Sequence, residues 1–176
     1  MTAPGLAYRD SAMLPRLGAT VPSLPLLFDT NVILNALTGR GPPELKTLLA
    51  NLPQSFVSAP VLAELSWTRG RLDPAHPNTA KVVGLIDQVL RQIDATKILT
   101  PTATQWEIAG ESAGLAVRAI AGEIRTFKRT AERHEMLHDA LTALVASEAG
   151  VCVVTQDRDF DLFAQLDPNL HVLFYG

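Results

Sequence analysis

The chain reads as an α/β protein built on a central, mostly parallel sheet with helices on both faces. Three observations predict it. Short apolar runs rich in Leu, Val and Phe alternate with helical stretches. Those runs lack an apolar–polar alternation, as strands covered on both faces do. Acids directly follow two of them, Asp29 after Leu26-Leu27-Phe28 and Asp157 with Asp159 after Val151–Thr155. Sheets of this kind carry their sites beyond the strand carboxyl ends.

The elements follow in order. Residues 1–24, with Pro4, Pro15 and Pro22, show no clear periodicity and read as an extension that can pack on a domain spanning 25–176. Leu26–Phe28 is the first strand. A helix from Val32 to Leu37 stops at Thr38-Gly39-Arg40-Gly41-Pro42. Glu44 to Asn51 forms a second helix, with Pro43 in its first turn. Gln54 to Ser58 is a short strand, and Ser58 caps a helix running to about Arg69. Asn78 to Ile93 is a long helix and Lys97 to Thr100 a brief strand. Thr104 and Glu107 fit a capping box for a helix starting at Gln105. Helix continues to Gly150, with a break near Gly122. Val151 to Thr155 and His171 to Tyr175 are the last two strands.

Composition bounds the function classes. At 176 residues, 47% hydrophobic and 19% charged, the chain fits one folded domain and not a disordered segment. Roughly two thirds of its unfolded surface can be buried, so folding needs no disulfide or metal staple. No apolar run reaches about 18 residues, which excludes a spanning helix. The first 19 residues lack a signal-peptide core, so a cytoplasmic protein is expected. A single cysteine, Cys152, excludes a disulfide framework and a cysteine zinc finger, and inside an apolar strand it reads as core. The net charge of −3 does not suggest a nucleic-acid binder. Setting aside Asp29, Glu64, Asp139, Asp157 and Asp159 leaves 13 acids against 15 bases, so global charge decides nothing.

Each of those acids has an ordinary reading. Asp29 in Asp29-Thr30-Asn31 could simply cap the next helix. Glu64 lies in an apolar helical turn, where an acid faces solvent or is paired or metal-bound. Asp139 sits opposite the Leu137, Leu141, Leu144 stripe, aligned with Thr142, Ala143 and Ala146. That second face is small and uncharged, so the helix reads as buried on both sides with an acid on a packed face. Asp157 to Asp161 reads as an acidic loop, solvated if taken alone. Together, two acids at strand ends and two on buried helices can converge where strands 1 and 4 lie side by side.

Other motifs compete. His134-Glu135-Met136-Leu137-His138 is a literal H-E-x-x-H, which on a helix would bind zinc with Glu135 as the base of a metallopeptidase. Its extended continuation fails, since Leu141 and Leu144 stand where glycine and histidine are required. Arg118, Arg125, Lys128, Arg129 and Arg133 form a basic run, either a solvated face or an RNA-backbone contact. Trp67 and Trp106 read as packing residues that could otherwise stack on bases.

The segments Leu26 to Leu34, Ala63-Glu64-Leu65, His138 to Ala143 and Val153 to Phe160 resemble the PIN-domain nucleases, and the VapC toxins of bacterial toxin–antitoxin pairs in particular. The likeness covers about Pro25 to Tyr175. It implies a PIN-like fold and a metal-dependent endoribonuclease using Mg²⁺ or Mn²⁺. It assigns Asp29, Glu64, Asp139 and Asp157 as the metal-binding and catalytic quartet, Asp159 as auxiliary, and Asn31 and Thr155 as supporting polar positions. It also implies an RNA substrate, a small cognate antitoxin and a homodimer. A PIN-like nucleic-acid-binding module without catalysis is the remaining alternative. The extension 1–24 and the long helical stretch between Glu64 and Asp139 depart from a minimal member.

Overall fold

In the computed structural model the described residues are 5–18, 23–50, 54–121 and 130–175, with the side chains at 49, 121 and 130–133 outside that description. Each predicted apolar run contributes a strand: β1 Leu26–Phe28, β2 Val57–Ser58, β3 Ile98–Leu99, β4 Cys152–Thr155 and β5 His171–Phe174. All pairings are parallel. β4 lies between β1 and β5, with Phe28 opposite Val154 and Thr155 opposite Phe174. β2 pairs with β3 and joins β1 through a bridge between Phe56 and Leu27. The Phe56 amide donates to the Leu26 carbonyl at 2.7 Å and the Phe28 amide to the Phe56 carbonyl at 3.2 Å. The strands therefore run in the order β3-β2-β1-β4-β5. The chain leaves β1 toward one edge and returns at β4 on its other side.

The absence of alternation in the strands has a direct cause. Successive side chains enter two different cores, so each must be apolar. Leu27, Val153, Val172 and Phe174 pack with Ala109, Leu141 and Phe160. Phe28, Val154 and Tyr175 pack with Ile33, Val61, Leu65 and Ile86. The first face is covered by α5 (Ala103–Ala121), α6 (Thr130–Ala149) and α7 (Asp159–Leu166). The second is covered by α1 (Thr30–Thr38), α2 (Glu44–Ala50), α3 (Ala59–Arg71) and α4 (Thr79–Gln92). The sheet with helices on both faces is the fold expected from the sequence.

Local signals hold with two corrections. Ser58 caps α3 by accepting from the Val61 amide at 3.3 Å. Gly39 ends α1 at φ +70°, the left-handed turn that glycine adopts without a Cβ penalty. The box opening α5 is Thr102 with Gln105, not Thr104 with Glu107. Thr102 Oγ1 accepts from the Gln105 amide at 3.3 Å, and Gln105 Oε1 accepts from the Thr102 amide at 2.7 Å. A glutamine completes the box as well as a glutamate does, and it frees Glu107 to face solvent. The second correction is α7. Residues 159–161 open a helix and are not a solvated loop, and Asp161 is fully buried. Asp159 and Asp161 in the first turn suit the positive end of the helix. Trp67 and Trp106 are 63% and 48% exposed and belong to neither core.

The described part of the extension lies against the domain. Arg16 forms a parallel bridge to Phe174. The Phe174 amide donates to Pro15 and the Leu17 amide to Phe174, both at 2.8 Å. This covers the exposed edge of β5, and Leu14 is buried beside it. Among the described residues no helix is long and apolar enough to cross a membrane.

Candidate functional site

The carboxyl ends of β1 and β4 lie together because β1 and β4 are neighbours, and the chain's crossing direction changes there. Asp29 follows β1 and caps α1, its Oδ1 accepting from the Thr30 amide at 2.7 Å. The cap reading is realised, and it occupies one of the two oxygens. Its Oδ2 accepts from Thr155 Oγ1 at 2.7 Å. Thr155, at the end of β4, also accepts from the Asp157 amide at 2.8 Å, and Asp157 Oδ1 accepts from the Asp159 amide at 2.9 Å. One chain of hydrogen bonds thus fixes Asp29, Asp157 and the start of α7.

α6 supplies Asp139 from the packed face that its Thr142, Ala143 and Ala146 neighbours create, all three buried. Asp139, Asp157 and Asp159 each offer an oxygen within 4.8 Å of the others. Glu64 reaches the same region from α3. Its Oε2 accepts from Thr30 Oγ1 at 2.5 Å, and its Oε1 lies 3.0 Å from His138 Nδ1.

Burial and like charge act together here. Burial raises the Asp29 carboxyl, the bond from Thr155 opposes it and the charges of Glu64 and Asp157 add to it, for a net rise to about 7. Asp139 touches some solvent, but protein surrounds most of its carboxyl. Burial, then the charges of Asp29, Asp157, Glu64 and Asp159, hold it well above the carboxylate range. Asp159 is raised mainly by burial, with Tyr8 opposing and Asp157 and Glu135 adding. Carboxylates crowded in this way ionise fully only if a cation joins them. An all-oxygen donor set suits a hard divalent ion such as Mg²⁺ or Mn²⁺, so the residues fit the metal expected from the sequence.

The other predicted residues fall as follows. Asn31 is half-buried in the first turn of α1, and its side chain makes no hydrogen bond among the described residues. Arg125, Lys128 and Arg129 lie outside the described residues, and so does the side chain of Arg133. The histidines of the H-E-x-x-H motif do not gather a metal group. His134 is exposed and His138 is engaged with Glu64, and the group of potential ligands found among the described residues contains neither.

Three residues at the site escaped the sequence reading as participants. Thr30 and His138 hold the two oxygens of Glu64, and both lay next to acids already singled out. Tyr8, from the extension, donates its hydroxyl to Asp159 Oδ1. Burial and the acids of Asp159 and Asp157 push its phenol above its ordinary value, so at neutral pH it carries the proton.

Solved structures share this architecture. VapBC2 from Rickettsia felis, solved with a DNA fragment from their promoter, is 18% identical, with a TM-score of 0.55 over 87% of this chain and 100% of that one. FitAcB from Neisseria gonorrhoeae is 20% identical, with a TM-score of 0.56 over 84% of this chain and 96% of that one. DNA-bound VapBC from Salmonella typhimurium is 15% identical, with a TM-score of 0.54 over 87% and 99%. At these identities the likeness is one of fold. No curated protein sequence matches the chain. The PIN domain family matches residues 26–166, from the first residue of β1 to the last of α7. The chain belongs to the PIN domain family.

Proposed function

We propose that the protein is a metal-dependent endoribonuclease, the toxin of a toxin–antitoxin pair. The observation that carries this reading is the meeting of Asp139, Asp157 and Asp159 within 4.8 Å at the strand ends of a PIN domain, beside a buried Asp29. Asp29, Glu64, Asp139 and Asp157 would hold Mg²⁺ or Mn²⁺, with Asp159 as an auxiliary ligand and Thr155 as support. When bound, the ion supplies an electrophile for a phosphodiester oxygen and lowers the pKa of a coordinated water. The chain's own residues do the positioning. Thr155 fixes Asp29 against β4, and Thr30 with His138 fixes Glu64 against α1 and α6. No side-chain nucleophile is required, and the expected products are a 5′-phosphate and a 3′-hydroxyl.

RNA would be guided by Arg125, Lys128, Arg129 and Arg133, which precede Asp139 in the chain. A small antitoxin as partner is supported by the VapC-like motifs and by the VapBC assemblies that share the fold. A homodimer and a cytoplasmic location complete the proposal. The test is incubation with total cellular RNA and Mn²⁺ or Mg²⁺, alongside Asp29→Asn and a zinc-only control, with new 5′ ends mapped. Discrete cuts that need Mn²⁺ or Mg²⁺ and vanish in Asp29→Asn are expected. Cuts that persist in Asp29→Asn overturn the site, and cleavage of no RNA with any metal points to a silent binding module.

A further inference from the structure

The segment before β1 has no role in the reading above, yet one of its side chains, Tyr8, ends at the acidic cluster. We propose that Tyr8 is a positioning residue for Asp159, and that the N-terminal segment is thereby a working part of the metal site. This rests on the metal-site reading and extends it to a part of the chain outside residues 26–166, which the family match covers.

The argument starts from how firmly residue 8 is held. Its neighbours on both sides are tied to the same short helix. The Ala7 carbonyl accepts from Gln165 Nε2 at 2.9 Å. The Arg9 amide donates to Asp161 Oδ2 at 2.7 Å, and Arg9 Nε donates to Asp161 Oδ1 at 2.5 Å. Arg158 Nη2 donates to the Arg9 carbonyl at 2.5 Å, and its guanidinium lies 5.1 Å from the centre of the Tyr8 ring. Leu6 packs on the core on one side, while Leu14 and the Arg16 bridge fix the chain on the other. The backbone of residue 8 therefore has little freedom.

The helix that anchors the segment also begins with Asp159. Arg158, Asp161 and Gln165 grip residues 7–9, and the Tyr8 hydroxyl donates to Asp159 Oδ1. A general role for this bond follows from carboxylate chemistry. A ligating carboxylate must be oriented, and a hydrogen bond to one oxygen fixes its plane while the second stays available to a cation. Asp157 Oδ1 already accepts from the Asp159 backbone, but among the described residues only Tyr8 donates to the Asp159 side chain. A structural role alone would not require a hydroxyl at this position, because the Arg9, Arg158 and Gln165 bonds and the Arg16 bridge already hold the segment.

The experiment is Mn²⁺ titration by calorimetry of the full chain as wild type, Tyr8→Phe, Asp159→Ala and the double variant, with metal-free melting of each. Tyr8→Phe keeps the ring over Arg158 and removes only the donor. Its Mn²⁺ affinity is expected to fall about tenfold, at the lower end of losses seen when a ligand's hydrogen-bond partner is removed. Its metal-free Tm should move little. In the Asp159→Ala background the same change should have no further effect on affinity, since the coupling runs through that carboxylate. Unchanged affinity in Tyr8→Phe overturns the proposal. So does tighter binding, which would mean that the hydroxyl competes with the metal. If the wild type itself fails to bind Mn²⁺, the metal-site reading falls and takes this one with it; if it binds normally and Tyr8→Phe matches it, only the positioning role falls.

Discussion

Asp161 and Asp29 are both buried acids, 0% and 4% exposed, in the same pole of the molecule, yet their surroundings are opposite. Asp161 has its countercharge built in. Arg9 donates two bonds to it, and Gln165 Nε2 adds a third at 3.2 Å. Asp29 faces Glu64 and Asp157, and Asp139 faces four other acids. The hydroxyls and amides around the cluster orient its charges without neutralising them. A buried acid with a cation beside it has its charge met within the fold, while acids crowded against one another do not. That contrast separates scaffold from site more sharply than acidity alone does.

The largest effect should come from substituting one acid of each kind. Asp161→Asn puts an amide where Arg9 needs an acceptor and strands a buried group. Breaking a fully buried pair costs about 3–5 kcal/mol, and because Arg9 is partly exposed about 2 kcal/mol is expected here. That corresponds to a fall in Tm of about 5 °C for a chain of this size. Asp139→Asn should do the reverse. It removes an acid that folding must either protonate or hold charged beside other acids, so the metal-free Tm should rise. RNA cleavage should nonetheless drop about 100-fold or more, the scale for losing one charge-stabilising group at a reacting centre. Thermal melts in EDTA and a cleavage assay on the two variants check both. A lowered Tm in Asp139→Asn would erase the distinction.

The second way to sharpen the comparison is pH. A carboxyl raised in the folded state holds its proton there while the unfolded chain has lost it. Folding then binds protons, and stability falls as pH rises. For Asp29, raised from 3.8 to about 7, the contribution is fully present below about pH 4 and is lost as pH rises through about 7. Metal-free protein should therefore melt several degrees lower at pH 7 than at pH 5, and Asp29→Asn should flatten that slope. Mn²⁺ at about 100 times its Kd should restore about 2.7 kcal/mol at pH 7. A metal-free Tm that rises from pH 5 to pH 7 would contradict the charge assignment.

Much of this was legible in the sequence, and the misses share a cause. The strand runs gave the fold because each residue serves one of two cores. Asp29, Asp139 and Asp157 were legible from their places at strand ends and on a small-residue helix face. Tyr8 was not, because it meets Asp159 across 151 residues and no local pattern marks a tyrosine as a hydrogen-bond donor to a site. His138 drew attention through H-E-x-x-H, but its partner proved to be Glu64, 74 residues away. α7 was hidden because its first turn is acidic and it spans only eight residues, too few for a periodic signal to stand out.

The smallest expected effect comes from Thr30→Val, which separates orientation of charge from charge itself. Thr30 is nearly buried and its Oγ1 donates to Glu64 Oε2, while the α1 cap belongs to Asp29. Valine keeps the shape and the branched methyl, and the cap is untouched. Glu64 retains His138 and is partly open to water, so the stability cost should be about 0.5–1 kcal/mol, or roughly 2 °C. The carboxylate of Glu64 would keep its charge and lose one of the two groups that fix its plane. Cleavage should then fall about tenfold, by the same logic of a ligand losing its hydrogen-bond partner, and His138→Ala combined with Thr30→Val should cost more than either alone. Single-turnover rates on one RNA, with melts of the same samples, make the check. Full activity in the double variant would mean that Glu64 contributes charge alone, and a loss in Thr30→Val as deep as that of Asp139→Asn would mean that holding the acids in place matters as much as their number.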